Sequence, residues 1–202
     1  MKRRSFLHWA SAAAATSAFG VSASAFADAV GDVLSDITKA RAGIKTLTGT
    51  FSQERTIGLL ATAVKSEGEL SLVLPNQLRW ELKPPDAITY WITPEGFAFA
   101  TPKGGGGAGK GAAGRFGAVL SDLLILLGGD LEKLRGRYTI SVPSRKDGLI
   151  LVFEPKAEDV KKYVKRLEMR AGSELWTVRR IEIEEVNGDS SVITFNTIER
   201  DK

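Results

Sequence analysis

The sequence predicts a mainly β fold with some α (α+β): an incomplete, strongly curved antiparallel β-barrel closed by a helical lid. Three observations predict it. Short runs of alternating polar and apolar residues follow one another through tight turns, with no helix between successive pairs. That order favours an antiparallel meander over a parallel sheet. About ten such runs stand against only two substantial helical stretches. Two helices cannot cover so wide an apolar face if it is flat, so a curved sheet with helices on its concave side is the economical arrangement. Such a shape can leave an apolar cavity.

The first element is an export signal. "MKRRSFLHWASAAAATSAFGVSASAFA", residues 1–27, has a basic start, a small-residue apolar stretch and the A-x-A site Ala25-Phe26-Ala27. Arg3-Arg4-Ser5-Phe6-Leu7 resembles a twin-arginine signal, although a general secretory signal also accommodates two arginines. Cleavage after Ala27 leaves residues 28–202 as a single exported, soluble domain, without a cysteine to lipidate.

That cleavage also narrows the chemistry. The chain has 28 Lys and Arg against 24 Asp and Glu. Loss of Lys2, Arg3 and Arg4 brings the two signs almost level, which gives no reason to invoke nucleic acid. The only histidine, His8, goes with the signal, and there is no cysteine. Ser-His-Asp and Cys-His nucleophiles, His/Cys zinc sites and disulfides are excluded. The acids lie scattered among lysines and arginines, so the reading is of no enzyme and no cofactor.

In order along the exported chain, Val30, Val33, Leu34, Ile37, Ala40 and Ile44 recur at helical spacing and predict an amphipathic helix. "LTGTFSQ" then alternates, with Leu47, Gly49, Phe51 and Gln53 on one face. "SEGELSLVLPNQLRWELKPPD" gives two strands around Pro75-Asn76, with Gly68, Leu70, Leu72 and Leu74 sharing one face and Leu78, Trp80 and Leu82 another. "AITYWIT" and "GFAFAT" flank Pro94-Glu95-Gly96, so Ile88, Tyr90 and Ile92 meet Phe97 and Phe99. Phe116, Val119, Leu120, Leu123, Leu124 and Leu127 trace a second helix, which Gly128-Gly129 ends and after which Asp130 caps a short turn. "RYTISVP", "GLILVFEP", "YVKRLEMRAG", "WTVRRIEIEEV" and "SVITFNTIE" are the remaining strands.

"GGGGAGKG" (residues 104–111) nearly matches the phosphate-loop pattern, with Gly104, Gly109 and Lys110 in place. Gly111 stands where that pattern needs a hydroxyl for magnesium, and a meander lacks the parallel core the motif requires. The expectation is no nucleotide, and a flexible surface loop over residues 103–115.

The order of the first helix, Gly49-x-Phe51-x-Gln53, the run Gly68-x-Leu70-x-Leu72-x-x-Pro75-x-x-Leu78-x-Trp80 and the hairpin at Gly96 resembles the periplasmic outer-membrane lipoprotein carrier (LolA-like) family. The match is dense over residues 45–101 and looser beyond. The resemblance implies an acyl-chain cavity and a monomer that carries lipid-modified proteins from an inner-membrane ABC transporter to an outer-membrane receptor. Another amphiphilic lipid as cargo, or a filled-core interaction module, remain alternatives. The expected cavity wall is Phe51, Leu70, Leu72, Leu78, Trp80, Ile92 and Phe99, and the expected lid residues are Leu120, Leu123, Leu124 and Leu127. Family members often carry an arginine just before the turn proline that holds the empty lid shut. Leu74 stands there, so a weak or purely apolar closure is expected. The family also continues past the last strand into a segment associated with handover; here "VITFNTIE" is followed closely by Lys202, which leaves the direction of transfer open.

Overall fold

A computed structural model describes residues 23–58, 62–109, 114–143 and 148–201, with the side chains of 23–28, 108 and 114–119 left out of the description. Most of the signal, residues 1–22, lies outside the described residues. The first helix, α1 (Ala23–Arg41), begins before the expected cut and runs across it. Six strands follow: β1 (Thr46–Ile57), β2 (Thr62–Val73), β3 (Gln77–Leu82), β4 (Ile88–Thr93), β5 (Gly96–Thr101) and β6 (Gly104–Gly109). Helix α2 (Gly114–Gly128) and a 3-10 turn (Leu131–Gly136) lead to β7 (Tyr138–Ser141) and β8 (Ile150–Pro155). A single-turn helix α3 (Glu158–Lys161) precedes β9 (Val164–Ala171), β10 (Val178–Glu185) and β11 (Ser190–Arg200).

The described strands form one eleven-stranded sheet in the order β6-β5-β4-β3-β2-β1-β11-β10-β9-β8-β7, and every pair in it is antiparallel. The chain starts at the centre and walks outward to the edge strand β6. It crosses through α2 to the other edge, β7, and walks back until β11 pairs with β1. The sheet is therefore not closed on itself: β6 and β7 are its free edges. The segment joining those edges carries α2.

Burial follows the alternation. Leu47 and Phe51 of β1, Leu70 and Leu72 of β2, and Leu78 and Trp80 of β3 enter one core with Val33, Leu34 and Ile37 of α1 and Leu123, Leu126 and Leu127 of α2. The opposite face of the sheet is laced with ion pairs such as Arg180–Glu182 at 2.7 Å and Arg166–Glu168 at 2.9 Å, as a solvated face should be. After α2, Asp130 accepts a hydrogen bond from the Glu132 N–H and opens the 3-10 turn, the cap the sequence predicts.

One expectation is overturned here. Gly104–Gly109 is not a loop but the edge strand β6, paired with β5 from Gly96↔Gly109 to Thr101↔Gly104. Glycine is depleted in strands and leaves no alternation to read. The strand forms because β5 offers it an unpaired backbone edge. One of its glycines is demanded by close approach, since a Cβ at Gly105 would lie 2.5 Å from the Phe99 carbonyl oxygen; at Gly106 a Cβ would meet the Phe99 ring at 3.1 Å, a tight contact that the half-exposed ring can relieve. The extended, antiparallel strand does not have the strand-loop-helix form of a phosphate loop. Lys110 and residues 111–113 lie outside the described residues.

Candidate ligand-binding cavity

The concave face is best described by height along β1, whose inward residues are Leu47, Gly49, Phe51, Gln53, Arg55 and Ile57. Phe51 pairs with Gly68 on β2 and Phe195 on β11. Gly68 has to be glycine, since a Cβ there would lie 2.2 Å from the tip of the Phe51 ring. Trp80 stacks on Phe51 with ring centroids 3.9 Å apart, and Phe195 meets both rings at 6.4 and 6.3 Å. These three rings are a floor. Below them, Leu47, Leu70, Leu72 and Leu78 are packed solid.

Above the floor the same face is open. A cavity of about 280 Å³ lies over Trp80, walled by Leu82, Ile88, Ile183 and Ile193 and roofed by Leu120 and Leu123 of α2. Its wall draws on seven consecutive strands, from β4 through β1 to β9, where Val164 contributes. Flat, those strands would span roughly 29 Å. They can surround one small cavity only because the sheet is strongly bent.

One side of the cavity is polar: Gln53, Arg55, Ser66, Asp86, Tyr90 and Glu185 all reach it. Arg55 donates to the buried Asp189 carboxylate at 2.9 Å, and Asp189 also accepts the Gly58 N–H at 3.1 Å. Those two hydrogen bonds hold the Asp189 carboxyl below its usual range. Ser66 donates to Asp86. Burial, and then the nearby Asp86 charge, push the Tyr90 hydroxyl above its ordinary pKa. The inward positions thus supply a polar cluster beside the apolar wall. Its cause is visible in β1: the alternation that places Phe51 and Gln53 inside also places Arg55 and Ile57 inside, two steps farther on.

Helix α2 is fastened at two points. Arg41, only 6% exposed, donates to the carbonyls of Leu126 at 2.6 Å, Gly129 at 2.9 Å and Ile125 at 3.4 Å. These groups form the negative end of the α2 dipole, where a cation is favoured. Burial lowers the Arg41 pKa to about 10. On the next face, the buried Asp122 carboxylate accepts the Tyr138 hydroxyl at 2.6 Å and lies 3.1 Å from Arg137 Nε. Leu74 does close apolarly on α2, since a Cβ at Gly128 would lie 2.4 Å from a Leu74 methyl. The packing of α2 is therefore not purely apolar, because Arg41 of α1 adds hydrogen bonds to its last carbonyls beside the Leu74 contact.

The expected site residues separate into groups. Of the seven expected for the wall, Trp80 lines the cavity. Phe51 lies in the floor beneath it. Leu70, Leu72, Leu78 and Ile92 are buried but do not reach the cavity, and Phe99 is 38% exposed on β5. Of the four expected lid residues, Leu120 and Leu123 line the cavity, whereas Leu124 and Leu127 are buried against the rest of the core. Alternation identifies a face and says nothing of height above the floor, which is why core and wall were not separable.

Residues 42–90, from the end of α1 into β4, match the family model described as "Outer membrane lipoprotein carrier protein LolA". That stretch is LolA-like. The matched span contains Phe51 and Trp80 of the floor and the cavity-lining residues from Gln53 to Tyr90. Among curated proteins no sequence match is found. The chain shares its fold with a DUF1329 family protein of Desulfovibrio piger: TM-score 0.50, 11% identity, covering 86% of this chain and 92% of that one. A LolA superfamily protein of Nitrosomonas europaea aligns at a TM-score of 0.45 and 8% identity, over 85% and 93% of the two chains. Pseudomonas aeruginosa MucB, in complex with MucA, aligns at 0.46 and 13% identity, and this chain spans 56% of that one. At 11% identity the likeness to the Desulfovibrio protein is one of fold alone.

Proposed function

We propose that this protein is an exported, periplasmic, non-catalytic carrier that shelters acyl chains between its bent sheet and α2. The observation that carries this reading is the cavity above the Phe51–Trp80–Phe195 floor, apolar on most of its wall and roofed by a helix that is fastened but not part of the sheet. Enclosing a methylene is worth about 0.8 kcal/mol, so even partial shelter makes an aqueous crossing feasible. α2 acts as the lid, with Leu120 and Leu123 facing the chain and Leu124 and Leu127 anchoring the helix. Residues 1–27 serve as the cleaved export signal, and 28–202 as one carrier domain. In the full form of the proposal, lipid-modified proteins arrive from an inner-membrane ABC transporter and leave to an outer-membrane receptor with a better cavity, with no hydrolysis on the carrier.

The polar groups of the cavity support binding over catalysis. Arg55 is tied to Asp189 and Ser66 to Asp86, so they offer hydrogen bonds to a head group. The test is to purify the protein from its own periplasm without detergent and weigh it by native mass spectrometry. A one-to-one complex with a lipid-modified protein is the expected result. A free lipid in its place would keep the carrier and change the cargo. A protein that arrives empty and takes up neither would sink the carrier reading.

A further inference from the structure

We propose that the free edge of β6 takes up an extended segment of the lipid-modified protein as an added strand, beside the acyl chains sheltered in the cavity. This rests on the carrier reading above and gives the polypeptide part of the cargo a place of its own.

The two edges of the sheet are built differently. β7 is four residues long, whereas β6 runs for six and pairs with β5 without a shift of register. Sheets guard their edges with short strands, charged side chains, proline or bulges. β6 has none of these: its sequence is GGGGAG, and no described strand lies beyond it. Glycine is disfavoured in strands, and inside one it often marks the close approach of another backbone. The fold itself requires only part of the run. Gly104 has a φ of 139°, and Gly105 has no room for a Cβ. At Gly106 and Gly107 the nearest contact would be 3.1 Å, tight without being prohibitive, and a Cβ at Gly109 would meet nothing within 4 Å.

The position of this edge points to its occupant. At one height on the concave face, Trp80, Tyr90, Phe99 and Gly106 stand opposite one another on β3, β4, β5 and β6. The first two line the cavity. Phe99 is 38% exposed, and its ring leans over Gly106, since a Cβ there would lie 3.1 Å from Cε1 and 3.3 Å from Cζ. A side chain on an added strand would therefore meet the ring across the glycine, where a bulkier residue would stand in the way. On the convex face, a pocket lined by Trp91, Ala98 and Gly109 gives room to the alternate side chains. The added strand would lie three strand spacings from Tyr90, about 14 Å. Four or five extended residues span that gap. A lipid-modified protein carries acyl chains and, a few residues on, its own polypeptide, so it can fill cavity and edge together. A free lipid or a second copy of this chain offers only one half of that pair. Two linked contacts reinforce each other without either being strong.

The experiment uses the exported protein, delipidated and with isotope-labelled glycine amides, and two synthetic lipopeptides. Both carry the same triacylated cysteine, a short Gly/Ser linker and a Thr/Val tail that favours extended backbone. In one of them the tail amides are N-methylated, which removes the hydrogen-bond donors and keeps the side chains. By isothermal titration the unmethylated ligand should bind at least tenfold more tightly. On its binding, the β6 glycine amides that point away from β5 should exchange with solvent at least tenfold more slowly. Only the ligand is altered, so the folding of a variant does not enter. Equal affinities with unchanged exchange at β6 overturn the inference and leave the carrier standing. Slow exchange at β6 without ligand, deepening as protein concentration rises, gives the edge to a second copy and also overturns it. Failure of both lipopeptides to bind overturns the inference and the carrier together.

Discussion

Below Gln53 the inner face of the sheet is filled; above it, the same strands enclose a cavity. In the lower half β1 contributes Leu47 and Phe51, faced by Leu70, Leu72 and Leu78, all buried. In the upper half β1 contributes Gln53 and Arg55, faced by Ser66 on β2 and Ser191 on β11. Large rings cross the gap between the sides of the bend where they are available. Where they give way to polar and shorter side chains, the gap stays open and needs α2 as a roof. The division into structural core and binding space is thus made along the strands, residue by residue, and not between separate layers of the fold.

The strongest way to break this comparison is to remove the floor. Phe51→Ala should cost about 3–5 kcal/mol in urea denaturation, because it strips Trp80 and Phe195 of a fully buried partner. The surviving folded fraction should accept a longer chain than the unaltered protein, since the lower half would then be open to it. A loss below about 1 kcal/mol would mean that the rings are not closely packed and that the two halves do not differ as described.

A second test sharpens the comparison within α2. Leu127 is buried without lining the cavity, whereas Leu123 lines it. Leu127→Ala should lower stability by about 2–5 kcal/mol and leave ligand affinity per folded molecule unchanged. Leu123→Ala should cost less stability, since its side chain already borders empty space, and weaken binding. If the two variants affected affinity equally, the helix would be acting as one body and the distinction between roof and anchor would fail.

Much of this was legible in the sequence, and the illegible part has definite causes. The meander, its order and the inward faces of β1 to β4 follow from alternation and turn residues. The edge strand is glycine at every position but Ala108, so it shows no alternation and its backbone pairing with β5 left no trace in the pattern. Height along the strand is set by which cross-strand neighbours a residue meets, as Phe51 meets Gly68, and periodicity does not contain that. Arg41 did leave a signal. It falls on the apolar stripe of α1, four residues after Ile37 and three before Ile44, where a charge needs a partner that only the folded chain provides.

Arg41 provides the third test. Arg41→Ala removes a charge-assisted donor from three carbonyls and should cost about 1.5–3 kcal/mol. The larger effect should be local: amide exchange in the last turn of α2 and in the following 3-10 turn should speed up by more than the global loss accounts for. Chain exchange into and out of the cavity should speed up with it. Uniform acceleration across the sheet would show that Arg41 supports the fold as a whole and does not hold the roof in particular.

The smallest effect is expected at the other fastening, and its sign is its value. Around Asp122 stand Tyr138, Arg137 and, beyond Arg137, Asp159. Burial raises the Asp122 pKa above its ordinary value near 3.8, and it outweighs the hydrogen bond from Tyr138 and the pairing with Arg137. Between that ordinary value and the raised one the native state binds more protons than the unfolded state, so this group's contribution to stability falls as pH rises through the window. Asp122→Asn keeps an acceptor for the Tyr138 hydroxyl and has no proton to lose. The melting temperature of the unaltered protein relative to the variant should therefore be highest at the acid end, decline as pH rises through the window, and be level near neutrality. A relative rise with pH over the same window would mean that the Arg137 pairing outweighs desolvation. The carboxylate would then be an electrostatic clamp on α2, equal in kind to Arg41, and not the tolerated buried charge that its surroundings imply.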